Sequence, residues 1–183
     1  MQKKIVAPQG HVVHKGSRLE LRLVTLPAER GSVEKEVVIH HGAVVILPFL
    51  TDNDIILIRN ARFAIGQELW ELPAGTLTPD ELPEDCATRE LKEETGYDAS
   101  SIEPLGSFFN APGWSTFRLF SFVARGLTAG MQQLEKDERI DVHVVSMADV
   151  CSMIVKGQIA DGKTLASLAI YASQTGHMRF DTF

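Results

Sequence analysis

At 183 residues, with 44% hydrophobic and 23% charged content, the chain can bury one substantial core and is too apolar to be disordered or fibrous. A formal net charge of −6 speaks against a broad nucleic-acid-binding face, which needs clustered Lys and Arg. The longest apolar run, Ala43 to Phe49, is strand-sized and cannot cross a membrane; the start reaches Pro8 and Gly10 before any signal-like stretch, so a cytoplasmic protein is expected. An anionic substrate stays compatible with the negative charge, because a bridging divalent cation inverts the local charge logic.

Along the chain, apolar and polar residues alternate over Arg18 to Val24, and further strands are predicted at Glu36 to Ile39, Ala43 to Leu47 and Ile55 to Ile58. A helix is predicted from Pro83 to Thr95: Pro83 suits its first turn, Glu84 and Asp85 favour its positive end, and Gly96 suits a left-handed stop. Strands resume at Ile102 to Phe109, Phe117 to Ala124 and Asp141 to Val145, and helices are predicted near Ala148 to Lys156 and Lys163 to Ser173. Strands around a helix, with two helices late, indicate an α+β sandwich. With no repeat or linker, one domain spans 1–183, its residues 1–42 forming N-terminal strands suited to dimerisation and 43–183 the core. Cys86 and Cys151 lack metal or redox spacing and read as small apolar residues on helices. None of the six histidines has ligand spacing, so all are read as structural.

Within the predicted helix, Glu90, Glu93 and Glu94 stand at i, i+3 and i+4 and share one face. A solvated Glu-rich helix laced by Lys92 and Arg89 is the ordinary reading of such a run. The preceding residues change it. Gly75, five residues, Glu81, seven residues and then Arg89-Glu-Leu-Lys-Glu-Glu-Thr-Gly-Tyr97 reproduce the Nudix box throughout, with Leu91 and Tyr97 where it calls for apolar side chains. A chance match in a chain this size is on the order of 10⁻⁶.

Resemblance to the Nudix hydrolases implies an α/β/α sandwich with a mixed sheet and a small N-terminal β subdomain. It also implies hydrolysis of a diphosphate bond with Mg²⁺ or Mn²⁺. Three carboxylates on one helical face repel one another, and a hard cation removes that cost. Glu90 and Glu94 are the expected metal ligands; the resemblance adds the carbonyl of Ala74. Arg89 is expected to point off this face and, as the family implies, to pin Glu93 or another box carboxylate.

Asn110-Ala-Pro-Gly-Trp-Ser, with Pro112 sixteen residues after Gly96, is similar to the loop of the branch that hydrolyses ADP-ribose and nucleoside diphosphate sugars. Glu36 to Pro48, Leu57 to Phe63 and Glu68 to Gly75 also resemble that branch. There Arg62 matches a phosphate-contacting arginine and Glu71 a carboxylate near the metals. In the acidic segment Leu134 to His143, the resemblance makes Glu138 a metal-binding glutamate of a mobile loop. Lys136 departs from the pattern, standing where the general base is expected, so Glu135 or Glu93 inherits that role and Lys136 is expected to meet a substrate phosphate. Phe117 replaces an acidic residue that often follows the Pro-Gly loop. Trp114 either stacks a base or sugar or packs, and Trp70 reads as core or interface. The implied substrate is a nucleoside diphosphate linked to a sugar or ribose, cut to a nucleoside monophosphate and a sugar phosphate. A homodimer is expected, with no nucleic-acid or membrane partner. The competing readings are a Nudix enzyme acting on a nucleoside triphosphate, dinucleoside polyphosphate or coenzyme A, and a sensor that binds without cutting.

Overall fold

The structure, a computed structural model, describes residues 9–136 and 138–176; the rest of the expected domain lies outside the described residues. In chain order the strands are β1 (His11–Lys15), β2 (Leu19–Pro27), β3 (Ser32–His40), β4 (Ala43–Pro48), β5 (Asp54–Arg62), β6 (Gln67–Glu71) and β7 (Ala74–Thr76). Helix α1 (Pro83–Thr95) follows, then β8 (Tyr97–Phe109), β9 (Arg118–Ala129), β10 (Ile140–Ser146), α2 (Met147–Val155) and α3 (Gly162–Thr175). They form an antiparallel meander β1-β2-β3, an antiparallel sheet β10-β5-β6, and a mixed sheet β7-β4-β9-β8 in which only β4 and β9 run parallel.

Strand β4 explains the layering. All six of its residues are buried, as expected of a central strand covered on both faces, where successive side chains point opposite ways. Val45 and Leu47 enter a cluster with Leu57, Leu72, Val150, Leu168 and Tyr171. Val44 and Ile46 enter another with Cys86, Ala87, Leu91, Phe122 and Ala124. Helix α1 therefore covers one face of the mixed sheet, and α2, α3 and the β5 sheet cover the other. Each such aliphatic side chain contributes about 1.5–3 kcal/mol on burial.

The meander stands apart from this core. Val24 is its only residue in the buried apolar core. It is fastened at β3, where Val38 N–H donates to Trp114 O at 2.8 Å and Thr116 N–H to Val38 O at 3.0 Å. Among the described residues no helix is long and apolar enough to cross a membrane.

Sequence periodicity does not anticipate β1, β6 or β7. All five residues of β1 are exposed, and β7 has three residues around a glycine, so neither carries an alternating pattern. Strand β8 begins at Tyr97 rather than Ile102, because pairing with β9 along its length recruits a stretch of weak strand propensity.

Candidate active site

Helix α1 is set by local chemistry: Pro83 opens it, Glu84 and Asp85 occupy its first turn, and Gly96 closes it at φ 76° with its N–H donating to Lys92 O. Its inner side buries Cys86, Ala87 and Leu91, and its neighbouring face lies against β7. Glu90 packs directly on that strand. A Cβ at Gly75 would fall 1.7 Å from the Glu90 carboxyl carbon, so the first box residue is glycine because a carboxylate occupies the space of its side chain.

Arg89, expected to point off the acidic face, curls back onto it. Its Nε and Nη2 donate to Glu81 at 2.9 and 3.1 Å, and Nη1 donates to Glu90 at 2.7 Å and Glu93 at 2.9 Å. Arg89 holds the Glu81 carboxyl down at about 2, helped by the Thr78 N–H. The last box carboxylate is different. Glu94 is 3% exposed and accepts the Ala74 N–H at 2.8 Å. Burial pushes its carboxyl up to about 8; the Ala74 N–H opposes this, and the charges of Glu90 and Glu138 add to it. Glu90 is also raised, by burial first, with Arg89 opposing.

These groups suit a hard divalent cation. Glu90 and Glu94 are oxygen donors, and the mutual repulsion of the buried carboxylates falls when positive charge sits between them. Among the described residues no three acidic, imidazole or thiolate groups converge as a finished cage. One oxygen of Glu90 is taken by Arg89 and one of Glu94 by Ala74. An ion such as Mg²⁺ does not need such a cage, since it keeps several waters and binds through one or two carboxylates plus phosphate oxygens.

A cleft of about 300 Å³ lies over the acidic face. Glu90, Glu93 and Glu94 form one wall, Glu135 and Glu138 another. Arg62, and Arg18 with His41 from the meander side, complete it. Glu135 N–H donates to the Glu138 carboxylate at 2.9 Å, and Arg18 reaches Glu135 at 3.6 Å. Lys136 is exposed and stands outside this wall.

A second cleft of about 410 Å³ is lined by Ala43, Asn110, Phe117, Asp161 and Lys163, and shares Arg62 and Ala74–Thr76 with the first. Between the two, Arg62 pairs with Glu71 in a bidentate contact. Glu71 is fully buried, so its oxygens face Arg62 and Lys163 rather than the cleft. Pro112 and Trp114 lie on the exposed loop that meets β3 and border neither cleft. Trp70 is half-buried, edge-on to His143 with ring centroids 4.7 Å apart and Arg59 over its face.

Arg18, Asn110, Asp161 and Lys163 are cleft residues that sequence reasoning missed. Asn110 opens the Pro-Gly loop that the sequence singles out, and Asp161-Gly-Lys-Thr carried the signal of a helix start: the Asp161 side chain accepts the Thr164 N–H. Arg18, expected to open a strand, lies in the connection between β1 and β2.

Residues 39–168 match the NUDIX domain family. An ADP-ribose pyrophosphatase of Bacillus subtilis (strain 168) is 31% identical over 90% of this chain and 89% of its own. A GDP-mannose pyrophosphatase of Salmonella typhimurium is 32% identical over 75% of each chain. A solved structure described as an ADP compounds hydrolase shares the fold, with a TM-score of 0.76, 20% identity and coverage of 95% of this chain and 100% of that one. With residues 39–168, the box among them, matched by the family and most of its length by these relatives, the chain belongs to the Nudix family.

Proposed function

We propose that the protein is a divalent-cation-dependent hydrolase that cuts the diphosphate of a nucleoside diphosphate linked to a sugar or ribose, releasing a nucleoside monophosphate and a sugar phosphate. The observation that carries this reading is the pairing of a buried carboxylate face with Arg62 at the meeting point of two clefts. A diphosphate has a substituent at each end, and two clefts that meet at Arg62 and Ala74–Thr76 give both ends a place. The relatives' names, ADP-ribose and GDP-mannose pyrophosphatase, fit the same substrate class.

Glu90, Glu94 and the Ala74 carbonyl would hold the cation, Mg²⁺ or Mn²⁺, with Glu138 facing them. When bound it supplies charge neutralisation at the phosphates and polarisation of a water. The chain's own residues do the rest. Arg89 restrains Glu93 and Glu90 by charge-assisted bonds, so the acidic face is preorganised. Arg62 directs a guanidinium at the phosphates, held by Glu71 behind it. Glu135 or Glu93 takes the proton of the attacking water, and Lys136 meets a phosphate from the cleft rim. Pro112 and Trp114, exposed in the monomer, meet the nucleoside across a homodimer interface. The two cysteines, Cys86 on α1 and Cys151 on α2, suit a reducing, cytoplasmic setting.

The test is phosphate release from ADP-ribose, ADP-glucose, UDP-glucose, GDP-mannose and dATP with Mg²⁺, coupled to a phosphatase that acts only on the products. At least one sugar nucleotide should exceed dATP by tenfold or more, a difference of about 1.4 kcal/mol. Preference for dATP, or release from none, would overturn the assignment. Glu135→Gln should lower kcat with KM little changed; an unchanged kcat assigns the proton to Glu93.

A further inference from the structure

Arg62 does not stand alone where the clefts meet. Nε and Nη2 donate to the two oxygens of Glu71 at 2.7 and 2.5 Å, which fixes the guanidinium plane. Nη1 is left without a partner among the described residues. Glu71 is fully buried, and its Oε2 also accepts from Lys163 Nζ. Lys163, 14% exposed, donates again to Asp161 Oδ2 at 3.0 Å. That oxygen is locked by Thr164 N–H and Oγ1 at 3.0 and 2.6 Å, and Thr164 Oγ1 accepts the N–H of Leu72, the neighbour of Glu71. The last residue of β6 and the residue after it are thus both fastened to the first turn of α3.

Stability is a poor reason for gathering these charges. Burying a carboxylate between cations costs desolvation that their attraction only roughly offsets, and well-packed apolar groups often do as well. What the quartet fixes is position. It mounts Arg62 on a 14-residue helix and a paired strand, where a site is held more rigidly than on a loop.

We propose that Lys163 is a positioning residue: by compensating and immobilising the buried Glu71 carboxylate, it holds the Arg62 guanidinium at the junction of the clefts with its free edge toward the substrate diphosphate. This rests on the reading of Arg62 as a phosphate contact. Without the lysine, Glu71 keeps one cation for a fully buried charge and draws Arg62 toward itself. A displacement of about 1 Å at such a contact can cost on the order of a hundredfold in rate.

One readout needs no turnover. The Arg62 Nε–H resonance, assigned by its absence in Arg62→Lys, should exchange slowly with water in the wild type and in Lys163→Arg. In Lys163→Met it should exchange fast while the melting temperature moves by only a few degrees. With ADP-ribose and Mg²⁺, Lys163→Met and Arg62→Ala should each raise KM about tenfold to a hundredfold with kcat changed less. The double variant should fall within about twofold of Arg62→Ala alone, because the lysine acts through the arginine. If Lys163→Met does not fold, Lys163→Gln, which keeps a donor without the charge, replaces it. An unchanged Nε–H signal, or losses that multiply in the double variant, overturns the proposal. If the wild type cuts no sugar nucleotide, the functional reading fails, and the exchange rate alone decides the role of Lys163.

Discussion

A carboxyl group buried as deeply as that of Glu94 resists ionisation, and the sign of its effect on stability follows. Its folded value, about 8 against 4.5 for the free group, means that the folded chain keeps a proton the unfolded chain has released. In metal-free buffer the Glu94 contribution to stability is therefore full below about pH 4.5, falls as pH rises toward 8, and levels off above. Glu94→Gln should flatten that slope and raise the chelated protein's melting temperature at pH 8, at about 2–4 °C per kcal/mol recovered. The same variant should lose at least a hundredfold in turnover with Mg²⁺, about 2.7 kcal/mol of transition-state stabilisation. Melting curves at pH 5 and 8 check the first, and a retained slope would assign the pH dependence elsewhere; more than a tenth of wild-type turnover would remove Glu94 from the metal site. Glu90, Glu93 and Glu94 could be read from the sequence because three and four residues along a helix are neighbours by geometry alone. The role of Glu81 as the main partner of Arg89 could not, since its position depends on how the loop before α1 folds back.

At the scale of elements, starts and stops written in local chemistry are the legible ones. Helix α1 runs from Pro83 to Thr95 as Pro83 and Gly96 dictate. Helix α3 starts one residue earlier than Lys163, at Gly162 after its Asp161 cap. Strands β6 and β7 are defined by what they pair with, and no residue pattern announces a partner. Gly96 makes a sharp test of the helix stop. Its φ of 76° is left-handed, and an added Cβ would come within 2.8 Å of Gln132 N, a backbone atom that cannot rotate away. Gly96→Ala should therefore cost about 1–3 kcal/mol, read as a lower urea midpoint with an unchanged slope. A loss below about 0.5 kcal/mol, within the range of ordinary surface substitutions, would mean that the segment after β9 yields.

For the molecule as a whole, the meander carries the open question of assembly. Val12, Val13, Leu19, Leu26 and Val33 are each more than 40% exposed, and a sheet with so little core of its own is marginal unless something covers it. A second copy of the chain is the expected cover. Light scattering should give twice the chain mass at micromolar concentration, and Leu26→Glu with Val33→Glu should halve it; a wild-type monomer ends the idea. Cys86 offers a different use of the same fold. Its thiol is fully buried beneath Arg89, whose Nη2 donates to Sγ at 3.3 Å, and burial pushes it up to about 12. It reacts only when α1 lifts from the sheet, so its rate of labelling by a thiol reagent is a clock for opening of that helix. Divalent cation should slow that clock by tying α1 to β7 through Glu90, Glu94 and Ala74, while half-buried Cys151 on α2 should label at an unaltered pace.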